Sequence, residues 1–170
     1  MPILTDSGGA QLTTNAGKVL VRDTGSIIDY GIAYDNSTYT LTPSLTDFTT
    51  EITNLIVTIT PKSASSKFLL LGNLTISPDG GNFFSFNFRR YVSGNLLFPS
   101  DLGPTGGFAN INTNGDTALP INIQHIDDTP NTTQTLQYRI GVKRSAGSII
   151  INKRNSTNPT QSSIIVMEIV

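Results

Sequence analysis

QTLQYRIGVKR, Gln134–Arg144, places Leu136, Tyr138, Ile140 and Val142 at every second position, with Thr135, Gln137, Arg139 and Lys143 among the residues between them. A period of two marks a strand with one face on a core and the other in water. Ser148–Asn152 follows after Ala146-Gly147, and the two segments read as a hairpin. Beyond a polar loop, Asn155–Gln161, the run Ser162–Val170 is apolar on both faces apart from Glu168. Such a run predicts a strand tied into the middle of a sheet or into an interface.

Upstream, the same reading repeats. Lys18–Asp23 has Val19 and Val21 opposite Leu20 and Arg22 and is the first predicted strand. Ser26–Tyr34 is a short apolar stretch broken by Gly31, and Tyr39–Leu41 is a further short strand stopped at Pro43. In Glu51–Thr60, Leu55, Val57 and Ile59 share a face, and Pro61 ends the run. Lys67–Ser77 carries Phe68, Leu70, Leu74 and Ile76 on one side and Leu69 and Leu71 on the other, which predicts a central strand. After the turn Pro78-Asp79-Gly80-Gly81, Asn82–Val92 alternates Phe84, Phe86 and Phe88 against Ser85, Asn87 and Arg89. Leu96-Leu97-Phe98 leads into a Gly-rich loop, Pro99–Asp116, with one short strand near Phe108–Ile111. In Ala118–Asp127, Leu119, Ile121, Ile123 and His125 share a face.

About eight to ten strands at roughly 8–12-residue spacing predict an all-β fold, a sandwich or barrel. Long strands with uneven loops favour a jelly-roll-like antiparallel β sandwich. The chain divides into an extended N-terminal arm, Met1–Gly17, and a sandwich over Lys18–Val170. The arm is rich in Gly, Thr, Ser and Asn, with isolated apolar residues at Ile3, Leu4 and Leu12. That composition predicts order only on a partner. It has no basic segment leading into an apolar run, so it does not read as a signal peptide.

The formal net charge is -1 and only 14% of residues are charged, a balance without the footprint of a nucleic-acid or anionic-membrane binder. No apolar stretch approaches the length of a membrane span. The absence of cysteine leaves stability to the core and to oligomerisation.

No catalytic constellation, cofactor motif or metal set emerges. The single histidine, His125, lies near Asp127 and Asp128 but has no nucleophile in view, and a structural role is the expectation. Asp127, Asp128 and Asp79 read as turn residues. Arg89-Arg90, Lys143-Arg144 and Lys153-Arg154 read as solvated strand ends, with Tyr91 the one aromatic nearby. The second apolar face of Ser162–Val170 and of Lys67–Leu71 needs a cover that a two-layer sandwich does not supply. An oligomer interface is therefore expected at Ile165, Met167, Ile169, Leu69 and Leu71.

Five stretches carry a resemblance: LIVTITPKSASSKFLLL at Leu55–Leu71, IQHIDDTPN at Ile123–Asn131, TLQYRIGV at Thr135–Val142, IIIN at Ile149–Asn152 and IIVMEI at Ile164–Ile169. In this order they resemble small β domains of virion proteins from tailed bacteriophages, especially cyanophages, over roughly Thr50–Val170. The resemblance implies a trimeric jelly roll, non-enzymatic and without cofactors, on the outside of a virion and made in a bacterial cytoplasm. It implies capsid decoration or cement, with Ile3, Leu4 and Leu12 of the arm docked on a major capsid protein. The alternative it leaves open is the receptor-binding tip of a tail fibre, contacting host-cell surface glycan or other tail proteins. The binding loop would then carry Phe108, Asn110, Asn112 and Asn114.

Overall fold

A computed structural model describes residues 27–78, 82–92, 95–113, 118–152 and 160–169. The expected arm with Ile3, Leu4 and Leu12, the expected strand Lys18–Asp23 and Asn114 lie outside these residues. Eleven strands and no helix are found among them: β1 Ile27–Asp35, β2 Tyr39–Leu41, β3 Thr50–Ile59, β4 Lys67–Pro78, β5 Asn82–Val92, β6 Asn95–Asp101, β7 Ala109–Thr113, β8 Leu119–Asp127, β9 Leu136–Arg144, β10 Ile149–Ile151 and β11 Ser162–Ile169.

They form two antiparallel sheets. In the first, β4 is central: β8 lies along one side, and on the other β11 pairs at residues 67–73 and β10 at 76–78. β1 continues outward from β11 and β2 from β10. The second sheet runs β3-β9-β5, with β6 and β7 sharing the far edge of β5. With β1/β2, β6/β7 and β10/β11 each counted as one interrupted strand, successive strands alternate between the sheets except at β5 and β6/β7, which pair within the second sheet, and the order is that of a jelly roll.

Period-two alternation sends one row of each strand into the gap between the sheets. Phe84, Phe86 and Phe88 of β5 stand beside Tyr138, Ile140 and Val142 of β9 and face Phe68, Leu70, Leu74 and Ile76 of β4, all essentially buried. The central position expected for Lys67–Ser77 is the observed one.

Two expectations are corrected. β9 and β10 do not form a hairpin, because the chain changes sheets between them. Gly147 takes φ 71 there, and the Arg144 guanidinium donates to the carbonyls of Pro43 and Gly147. This holds the turn open until Ile149–Ile151 meets β2 and β4. The segment 99–116 is also more regular than a loop. β6 runs to Asp101, and the predicted short strand is Ala109–Thr113.

The outer face of the second sheet is covered as well. Leu102 and Phe108 donate backbone hydrogen bonds to the carbonyls of Phe88 and Phe86, holding the 102–108 segment against β5. Phe48 is 3% exposed. Ser85, Asn87 and Arg89 are consequently buried rather than in water. Gly141 permits this cover: a Cβ there would lie 2.5 Å from the Phe48 carbonyl oxygen and 2.7 Å from Arg89 Cδ. Gly141→Ala is expected to cost about 1–3 kcal/mol through overpacking against backbone that cannot step aside. Urea denaturation measures it, and unchanged stability would mean that the 42–49 segment lifts freely.

Candidate interaction face

Residues paired across antiparallel strands point to the same side, so the register defines the outer face of the first sheet. One row is Tyr30, Met167, Leu69 and Ile126, and the next is Ile32, Ile165, Leu71 and Gln124. Ile27, Ile169 and Lys67 close one end, and Tyr34, Ser163, Asn73 and Asn122 make a more polar row at the other. Strand spacing and rise give a patch on the order of 300 Å², the size of the largest apolar patch on a typical monomer, which is often functional.

Leu69, Leu71, Ile165, Met167 and Ile169, expected separately on two strands, are therefore one contiguous half-buried cluster. Their neighbours in the sheet screen them on two sides. Residues on the edge strands are barer: Tyr30 is 70% exposed, Tyr34 56% and Ile126 53%. The contributions of β1 and β8 were missed in the sequence. Ile28, Tyr30, Ile32 and Tyr34 alternate through IIDYGIAYD, and that signal was present.

Other candidate residues lie elsewhere. Phe108 does not head an exposed loop: its ring centroid is 5.7 Å from that of Phe88 and 4.9 Å from that of His125, closing the gap between the sheets. Asn110 and Asn112 fall within β7. Burial lowers the His125 pKa below its usual 6.5, outweighing the Asp127 and Asp128 carboxylates. A depressed folded-state value means that the unfolded chain binds the proton more readily, so His125 stabilises the fold above pH 6.5 and this contribution is lost on acidification. Thermal melts should show a drop below pH 6.5 that His125→Asn reduces; an identical pH profile for the variant would remove His125 as its source.

Arg89, Arg90 and Arg144 are paired rather than solvated, and Lys153-Arg154 lies outside the described residues. Arg89 and Arg90 are successive and point to opposite faces. On the outer face, Arg89 Nη1 and Arg139 Nη1 each lie 2.8 Å from a Glu51 oxygen, and Arg89 Nε lies 3.0 Å from Asp101. The Tyr91 hydroxyl donates to Glu51, and Arg139 stacks over the Tyr91 ring at 4.6 Å. Burial and the Glu51 bond push the Tyr91 pKa up to about 12. Tyr91, read as the aromatic beside a basic patch, is 3% exposed.

Facing inward, Arg90 Nη1 reaches both oxygens of Asp127 at 2.6 and 2.7 Å, and the Tyr138 hydroxyl donates to Asp127 at 2.9 Å. Burial, then the Asp127 charge, raises the Tyr138 pKa, so the hydroxyl stays a donor. Asp127 is thus a buried anchor at the end of β8, and its Oδ1 also accepts from Thr129 N at 3.4 Å in the turn that follows. Glu168 also points inward, accepting from Lys62 N and Ser66 Oγ, both at 2.6 Å. No group of three or more potential metal ligands is found among the described residues.

No family model matches the sequence, and no curated protein matches it. Solved structures do match. A chain of the T13 infectious bursal disease virus particle is 13% identical, with a TM-score of 0.45 over 94% of this chain. A chain of the Gt strain of that virus is 11% identical, with a TM-score of 0.48 over 99%. This chain spans 39% and 46% of those two. Eiger TNF from S. frugiperda is 9% identical, with a TM-score of 0.46 over 85% of this chain and 94% of its own.

Proposed function

We propose that this domain is a non-enzymatic structural protein of a bacteriophage virion, a decoration or cement protein that acts as a homotrimer. The observation that carries the reading is the outer face of the first sheet, where Tyr30, Met167, Leu69, Ile126, Ile32, Ile165 and Leu71 form an apolar centre bordered by polar residues. An apolar core with a polar rim is the anatomy of a protein–protein interface. The tailed-phage resemblance over Thr50–Val170 supports the virion setting and the threefold assembly.

In this reading the face is turned toward the threefold axis and each subunit buries about 800 Å². The arms, with Ile3, Leu4 and Leu12, dock on the major capsid protein. Three tethered arms raise the effective concentration of each contact, so weak docking sums to firm attachment on an assembled shell.

Binding of the purified protein to capsids stripped of accessory proteins, compared with binding to host cells, tests the proposal. Saturable capsid binding at fixed stoichiometry, without cell binding, is the expected result. Cell binding without capsid binding would overturn it and make the domain a tail-fibre tip.

A further inference from the structure

We infer that His125 and Phe108 form an acid-released clasp, which holds the segment 102–108 against the flank of the sandwich at neutral pH and lets it go on acidification. The inference needs one chain only and leaves the outer face of the first sheet as it is, so it stands or falls separately from the virion reading.

The segment is built to move as one piece. Leu102 N and Phe108 N donate to the carbonyls of Phe88 and Phe86 at 2.9 and 2.7 Å, and Gly103 N donates to Asn87 Oδ1 at 2.8 Å. Gly107, at φ 83, donates to the Pro104 carbonyl and turns the chain back. A Cβ on Gly103 would lie 2.6 Å from both Asn87 Oδ1 and Phe108 Cε2, so amide, glycine and ring share one tight contact. Phe108 therefore leaves its place only together with the Gly103 bond. What lies beneath favours release. Asn87 is buried, and its Nδ2 has no hydrogen-bond partner among the described residues, so water would satisfy it once the segment lifts.

On its other side the Phe108 ring meets the single histidine, with centroids 4.9 Å apart. His125 lies between Ile123 and Asp127 on the inward row of β8, in register with Leu70 of β4, and is half-buried. The ionisable groups around it offer a proton little. Asp127 is taken by Arg90 of β5 and by the Tyr138 hydroxyl of β9. Asp128 is exposed, Asp101 at the start of the segment is bonded to Arg89, and Lys67 of β4 lies on the opposite face of its sheet. Residues 102–113 carry no ionisable side chain.

Attraction between an imidazolium and the Phe108 ring works against release. The Asp127 and Asp128 carboxylates do too, yet loss of water is the largest influence on His125 and holds its pKa below 6.5. Opening returns the imidazole to water and to its ordinary affinity for protons. The closed form is thus fully favoured above pH 6.5 and loses ground as the pH falls below that value. A proton shifts the balance only by the ratio of its affinities for the two forms, about tenfold for each unit of pKa between them. Opening uncovers Phe88, so the protein gains apolar surface at this flank in acid.

Amide hydrogen exchange on the full chain, read by NMR at about pH 7.5 and about pH 5 and corrected for intrinsic rates, tests the clasp. Leu102, Gly103, Gly107 and Phe108 each donate an amide hydrogen bond that belongs to the closed segment. Their protection is expected to fall about tenfold on acidification while the amides of β9 keep theirs, and His125→Asn should abolish the fall. By reciprocity, Phe108→Ala should raise the pH at which His125 titrates. Equal protection at both pH values, a fall that survives His125→Asn or is shared by β9, or a His125 titration unmoved by Phe108→Ala would each overturn the inference.

Discussion

Asp127→Ala is expected to destabilise the domain by about 3–5 kcal/mol, the loss seen when one partner of a buried ion pair is removed. Asp127 is 2% exposed and serves three donors, the Arg90 guanidinium, the Tyr138 hydroxyl and, at 3.4 Å, the Thr129 backbone N–H. The guanidinium and the hydroxyl stay where they are after truncation, because β5 and β9 hold their backbones and the aromatic core holds the Tyr138 ring against Phe68 at 5.5 Å. A cation and a hydroxyl then sit desolvated with no acceptor. The midpoint should fall by about 6–20 °C for a chain of this size. Replacing the set together, Arg90→Met and Asp127→Leu with Tyr138→Phe, should cost far less, since removing both charges and the hydroxyl removes the desolvation penalty along with the attraction. Equilibrium denaturation of the three proteins separates the terms. A loss below about 1 kcal/mol for Asp127→Ala would mean that water already reaches the pair.

That inward ion pair also marks where sequence reading ran out. Alternation identified β3, β5, β8 and β9, because a strand between core and solvent must alternate, and the two-faced apolar runs of β4 and β11 pointed to a second buried or covered surface. Alternation carries no information on which strands are partners. Ala146-Gly147 suits a hairpin as well as a sheet change, and the choice is made by distant groups: Pro43, which takes the Arg144 guanidinium, and β2 and β4, which receive Ile149–Ile151. Nor does it say what lies above a polar row. Ser85, Asn87 and Arg89 read as solvent-facing, yet the segments 42–49 and 102–108 fold over them, and Asn87 Oδ1 accepts from Gly103 N at 2.8 Å. Asn152 is a similar case. It follows β10 with φ 58 and its side chain ties the carbonyls of Asp35 and Ser37 to the Ser162 hydroxyl, contacts more than 100 residues apart on one side. The interaction face was legible in part for the same reason. Each strand's contribution is local, but the contiguous patch exists only through the registers of four strands.

Met167→Asp is expected to dissociate the proposed trimer while leaving the domain folded. Met167 lies between Tyr30 and Leu69 in register, and Ile165 and Ile169 flank it along β11 on the same face. It is half-buried in the single chain, so in the monomer the new carboxylate reaches water at little cost. In an assembly that covers this face, the same carboxylate is enclosed among apolar side chains with no donor supplied, and burying an unpaired charge costs several kcal/mol. Three copies around an axis multiply the penalty, so it falls on association and spares folding. Light scattering should report a drop from three chains to one of 18.2 kDa, with an unchanged far-UV spectrum. Asn122→Asp, on the polar row four residues from Ile126, is the matched control and should stay assembled. An unchanged mass for a folded Met167→Asp would take this face out of any interface, and the apolar surface on β1, β4, β8 and β11 would then need another occupant.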